Sequence, residues 1–203
     1  IVVAVNFLMH KPNVFYMPFT DTAVHIPVIL YGILIVILVL VCINVTNCTD
    51  GVDGLCGMVS LVTIASIYAL LRIFEFEEDY QRMILLFMAC IMAYLLFNAK
   101  PSFLLMGDAG SRTIGLFIAI MFLISRSPIY FVFFGLVLII DGGMGLIKIV
   151  MIRYLKVKNF MKDIRTPIHD YYRKTLEWSD TQVVIRFMLI QAIINIVILS
   201  SLV

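Results

Sequence analysis

Two aspartates three positions apart, Asp50 and Asp53, stand in the run Asn44-Val-Thr-Asn47-Cys-Thr-Asp50-Gly51-Val-Asp53-Gly54. A glycine follows each carboxylate, which suits a tight turn leading into a helix near Cys56 and lets both side chains point the same way. Aspartate and asparagine in such a turn can bind Mg²⁺ or accept hydrogen bonds from a sugar, a uracil ring or a basic side chain. The plainer alternative makes Asp50 a helix cap and leaves the glycines to relieve backbone strain. A second group runs from Asn98 and Pro101 into Met106-Gly107-Asp108-Ala-Gly110-Ser111-Arg112. Small residues around Asp108 admit a bulky polyphosphate, and the N–H groups of a helix starting there can meet an anion. A carboxylate beside a phosphate is most simply bridged by a divalent cation, although Asp108 as a plain N-cap is the alternative. The third group, Thr166-Pro167-Ile168-His169-Asp170-Tyr171-Tyr172-Arg173-Lys174, offers a titratable imidazole beside tyrosines and positive charge. A lone histidine is more often structural than catalytic, and part of the positive charge is expected to face anionic lipid.

Such groups need a scaffold that lipid tolerates, since 63% of the residues are hydrophobic and only 14% are charged. Residues 28–43, just before the first group, are long and apolar enough to cross a hydrocarbon core of about 30 Å. Apolar stretches predict an all-α, polytopic transmembrane helical bundle, with full spans at 26–45, 57–74, 83–98, 113–125, 128–152 and 183–203 and a partial span at 1–9. One transmembrane domain then occupies 1–203, and a soluble domain is not expected. Alternating spans put the loops near 46–56, 98–112 and 153–182 on one face, and those at 10–25, 75–82 and 126–127 on the other. Lys100, Arg112, Lys148 and the basic run from Arg153 to Arg186 load the first face. The second carries Lys11, Arg72, Arg82 and Arg126 with the acidic Glu75, Glu77, Glu78 and Asp79. The positive-inside bias makes the first face cytoplasmic.

Cys42, Cys48, Cys56 and Cys90 lie in spans or on that face, without zinc-ligand spacing, so disulfides are not expected. His10 and His25 are assigned to an irregular connecting loop on the opposite face. Asp141 falls at span depth, where a carboxylate is functional by default, and Lys148 is its expected partner, about 10 Å along the same helix face. The chain opens inside an apolar segment and is expected to be the C-terminal portion of a longer protein.

In this order and on one face, the three groups resemble the polyprenyl-phosphate N-acetylhexosamine-1-phosphate transferase family. The resemblance rests on Asn-x-x-Asn-x-x-Asp-Gly-x-Asp-Gly-Leu at 44–55, on Phe97-Asn98 with Pro101 leading into Met106-Gly107-Asp108-x-Gly110-Ser111, and on Pro167-Ile168-His169. Trp178 and the segment Val183 to Phe187 extend it. It implies a multi-pass protein of the bacterial inner membrane with about ten spans when intact. It further implies transfer of phospho-MurNAc-pentapeptide from UDP-MurNAc-pentapeptide to undecaprenyl phosphate, giving lipid I and UMP in peptidoglycan synthesis, with Mg²⁺ as cofactor. Membrane lipid, no nucleic acid and a second copy in a homodimer are the partners that follow from it. On the matching positions, Asp108 is the implied metal ligand and is catalytic together with His169, while Asn47, Asp50, Asp53 and Asn98 are implied to bind substrate.

Two departures stand out. The family's adjacent aspartate pair is absent from these residues, so this stretch alone is expected to be inactive. His169, matching the first of three consecutive histidines, is followed by Asp170 and Tyr171, so roles of the other two do not transfer. A relative that transfers GlcNAc-1-phosphate to the same carrier, for surface polysaccharide or teichoic acid, is the alternative enzyme. A membrane transporter with intramembrane carboxylates is the alternative of another class.

Overall fold

The computed structural model describes residues 7, 9, 14–20, 22–157, 159–162 and 164–202. Most of the partial span expected at 1–9, and His10 after it, lie outside them. The described chain is predominantly helical with almost no sheet, as expected, and five helices are long and apolar enough to cross a membrane. These are α1 (Val28–Thr49), α2 (Leu55–Ile73), α3 (Glu78–Asn98), α4 (Gly107–Ile124) and α9 (Asp180–Ser200). Several start earlier than hydropathy suggested: α4 begins at Gly107, not 113, and α3 at Glu78, not 83. Their polar first turns are helical but lie at the ends of the spans, where an apolar window cannot see them.

The sixth expected span, 128–152, is not one continuous helix. It consists of α5 (Tyr130–Phe134), α6 (Leu136–Leu138), a π turn over Ile139–Gly143 and α7 (Met144–Arg153). The break frees backbone groups inside the bundle, and side chains from neighbouring helices satisfy them. Thr63 Oγ1 donates to the Phe134 carbonyl at 2.8 Å, while Gln191 Oε1 accepts from the Val137 N–H at 2.7 Å and its Nε2 donates to the Phe133 carbonyl. Asn195 ties this network to Ser66 at 2.8 Å.

On the face opposite the three chemical groups, β1 (Val14–Tyr16) and β2 (Ala23–His25) pair as an antiparallel hairpin. His25 therefore lies in a strand and not in an irregular loop. The hairpin is pinned to the bundle where Tyr16 N–H donates to the Arg126 carbonyl and Ser127 Oγ donates to the Tyr16 carbonyl.

Helix α1, which carries the first group at its end, is gripped from two sides. A Cβ at Gly115 of α4 would meet the Cys42 carbonyl and the Ile43 Cα, and one at Gly142 would collide with the backbone of Val45. Only glycine lets these backbones approach so closely. Gly142→Ala is therefore expected to cost on the order of 1–3 kcal/mol through overpacking, read as a lower unfolding midpoint in detergent. Because the clash is with backbone two residues before Asn47, activity should fall with it.

Candidate active site

The three chemical groups meet on one face. The end of α1 turns through Asp50 to Gly54 into α2, and the turn is held from α3: Asn98, buried, accepts the Gly54 N–H on Oδ1 at 2.8 Å. Its Nδ2 donates to Ser102 Oγ and to the Leu104 carbonyl, so one amide joins the first loop to the second. All of the Asn98 polar atoms are thereby engaged inside the protein. Asn47 bridges the other way, donating from Nδ2 to Asp108 Oδ1 at 3.1 Å and to the buried Ser111 Oγ at 3.0 Å. Asp108 sits exposed in the first turn of α4, and Arg112, one turn on, pairs with its second oxygen at 2.9 Å.

Asp50 and Asp53 are half-buried, and neither carboxylate accepts a hydrogen bond from the described residues. Asp50 ends α1 through its backbone N–H, which donates to the Asn47 carbonyl, and no side chain caps α2, so the Asp50 carboxylate is not spent as a cap. Burial pushes the Asp50 carboxyl above its ordinary range, and the negative charges of Asp108 and Asp53 push it further. The carboxyl therefore holds its proton more readily in the folded protein than in the unfolded chain. Ionised Asp50 opposes folding, so the stability available at low pH is lost as pH rises through the folded value. At pH 7, Asp50→Asn is expected to unfold at a higher temperature than the wild type, and the gain should shrink as pH falls below that value. Differential scanning fluorimetry across pH 4–8 checks it.

His169 lies at the start of α8 (Ile168–Lys174) and is buried. Its partner is the buried Asp141 of the π turn, which sequence reading had paired with Lys148. The Asp141 Oδ1 accepts the His169 backbone N–H at 2.7 Å, and Oδ2 lies 2.8 Å from Nδ1. Lys148 instead donates to the Ile164 carbonyl at 2.6 Å. With Asp141 as acceptor, the ring hydrogen sits on Nδ1 and Nε2 faces the Asp50–Gly51 turn. A Cβ at Gly51 would overlap that nitrogen, so Gly51 is small because the imidazole packs against it.

Arg173 and Lys174, expected to offer free positive charge beside His169, are already paired. Arg173 Nε donates to Asp180 and its Nη1 lies near Asp170, while Lys174 Nζ bonds Asp170 at 2.7 Å. Lys100, from the second loop, binds the other oxygen of Asp180. Asp180 thus clamps the second loop to α8, and Ser179 and Gln182 fix its place at the head of α9 with a reciprocal capping box. Asp180 and Lys100 were not legible as site components; each is an ordinary polar residue until the loops meet. A carboxylate at span depth was the available signal for Asp141.

No three His, Cys, Asp or Glu side chains among the described residues converge closely enough to hold a metal unaided. Mg²⁺, however, commonly uses one or two carboxylates together with substrate phosphates and water. Asp50 and Asp53, which accept no hydrogen bond from the described residues, together with Asp108, whose carboxylate Arg112 and Asn47 hold, fit that mode of binding.

The profile of glycosyl transferase family 4 matches residues 1–126. The chain is 41% identical over 112 residues to a phospho-N-acetylmuramoyl-pentapeptide-transferase of Treponema pallidum, covering 55% of this chain and 31% of that protein. It is 36% identical over 109 residues to one from Borrelia turicatae, covering 54% and 30%. With one from Dictyoglomus turgidum it shares 32% over 129 residues, covering 64% and 41%. The matched region thus spans about a third of the length of these relatives.

Proposed function

Because the chain belongs to glycosyl transferase family 4, we propose that it forms part of an enzyme that moves phospho-MurNAc-pentapeptide from UDP-MurNAc-pentapeptide to undecaprenyl phosphate. Lipid I and UMP are the products, and the site faces the cytoplasm of a bacterial inner membrane. The observation that carries this reading is the approach of Asp50 and Asp53, which accept no hydrogen bond from the described residues, to Asp108 at Asn47 and the first turn of α4.

The proposed chemistry is a displacement at the sugar-linked phosphorus. An oxygen of the undecaprenyl phosphate forms the new P–O bond, and the bond to the UMP oxygen breaks, so that UMP leaves with its electron pair. Asp108, with Asp50, would hold Mg²⁺ against the diphosphate, and the cation would neutralise charge there when bound. The N–H groups at the start of α4 face the same region as a fixed positive end. Asn47 fixes the Asp108 carboxylate, and Asp53 would accept hydrogen bonds from the uridine or the sugar. Asn98 serves the substrate indirectly, by holding the Gly54 turn. His169 braces the other side of that turn with its Nε2 nitrogen.

Membranes containing the intact protein, incubated separately with labelled UDP-MurNAc-pentapeptide and UDP-GlcNAc, test the proposal. Lipid-linked product and UMP from the first donor alone support it. Product from UDP-GlcNAc alone would assign the alternative sugar, and absence of UMP with either would remove the transferase reading.

A further inference from the structure

A cavity of about 500 Å³ opens on the face opposite the carboxylates, where α2, α4 and α9 end. Its walls come from the hairpin tip, the turn from α2 to α3, the turn after α4 and the end of α9. These walls are fixed from within the fold. The Phe19 ring of the tip stands edge-on to Tyr130, 5.9 Å away, and the buried Gln81 holds the α2–α3 turn by donating to the Phe76 carbonyl at 2.8 Å. Apolar rings line the mouth, with Phe19 49% and Phe74 46% exposed. At the ends of spans, such rings lie at the level of the lipid headgroups.

Arg126 has two separable roles. Its backbone carbonyl pins the hairpin, while its side chain lines the cavity and makes no hydrogen bond or ion pair with the described residues. The residue sits at φ 56°, in the left-handed region where a helix exit favours glycine, so arginine is kept here against backbone preference. Tyr130, buried in the same wall, accepts the Phe19 N–H at 3.3 Å, and its own hydroxyl hydrogen has no acceptor among the described residues. Two donors without acceptors beside one cavity call for an anion. Negative charge stands on another wall: Glu75 lies between the wall residues Phe74 and Phe76, and Glu77 follows. Neither makes an ion pair with the described residues, whereas Glu78 and Asp79 share Arg82. Opposite charges that border one cavity without meeting suit a ligand that carries both.

We propose that this cavity binds the headgroup of a zwitterionic aminophospholipid, with its phosphate against Arg126 and its ammonium toward Glu75 and Glu77. A lipid is the occupant because the mouth lies at headgroup depth between apolar rings that acyl chains can cover. An anionic lipid without an amine would bring the same phosphate to Arg126 but leave the acidic turn opposing it. The site is remote from the proposed transfer chemistry and does not depend on it. It makes the stability of the fold depend on headgroup type.

Thermal unfolding of the intact protein in a nonionic detergent tests this. Dioctanoyl phosphatidylethanolamine at ten times its Kd should raise the unfolding midpoint by about 2–4 °C. Dioctanoyl phosphatidylglycerol and free phosphoethanolamine should raise it far less. An equal shift from phosphatidylglycerol would overturn the zwitterion, and an equal shift from phosphoethanolamine would overturn the lipid. Arg126→Gln should lose the shift yet keep the wild-type midpoint without lipid, since the carbonyl that holds the hairpin remains. Glu75→Gln combined with Glu77→Gln should reduce the phosphatidylethanolamine shift to that of phosphatidylglycerol. A full shift retained in either variant would overturn the proposal.

Discussion

Asp108→Asn is expected to lower lipid I formation by about a thousandfold, equivalent to roughly 4 kcal/mol of lost transition-state stabilisation. The side chain is exposed and makes one bond from Asn47 and one from Arg112, so the substitution removes a charge while hardly changing volume or packing. An asparagine Oδ1 still accepts the Asn47 hydrogen bond, and the fold should survive. The loss is therefore predicted in turnover at full thermal stability. A second measurement does not depend on activity: Mg²⁺ with a UDP-sugar should raise the unfolding temperature of the wild type and fail to raise that of the variant. Near-normal turnover of the variant in saturating Mg²⁺ would take Asp108 out of the proposed metal site.

The second large effect is expected at the buried pair of His169 and Asp141. From the sequence alone, His169→Ala should impair activity without touching stability, as for a side chain pointing into an open cleft. The structure changes that expectation, because the alanine would strand a carboxylate that is 1% exposed. Breaking such a pair typically costs roughly 3–5 kcal/mol, so the unfolding midpoint should drop together with activity. His169→Gln separates the two effects. A glutamine amide can still donate to Asp141, so stability should hold, and a bracing role predicts turnover within about tenfold of wild type. Stable Gln variants with activity lost as deeply as in Ala would instead assign chemistry to the imidazole itself. Asp141→Asn combined with His169→Gln should show less than additive loss, the sign that both act through one contact.

Much of the architecture could be read before any coordinates. Lipid dissolves no polar group cheaply, so twenty-residue apolar runs locate the spans, and polar clusters between them must sit at the faces. That reasoning placed α1, α2, α3, α4 and α9, and it put Asn47, Asp50, Asp53, Asn98 and Asp108 in loops of one face. Hydropathy could not see the break at Phe134–Gly135, because Thr63, Gln191 and Asn195 supply its hydrogen bonds from helices distant in sequence. Short strands such as Val14–Tyr16 exist only through their pairing, and no local pattern announced them.

The site divides along the same line. Residue type and spacing determined which carboxylates and amides were candidates, since ionisable groups beside spans are costly unless used. Partnership was decided by the tertiary structure. Asp141 joins His169 instead of Lys148, and Asp180 takes up Arg173 and Lys100, because these contacts cross between elements separated by 28, 7 and 80 residues. Helical periodicity reaches only one or two turns along a chain. It determines which groups share a face, but which charges remain uncompensated there depends on how the faces pack.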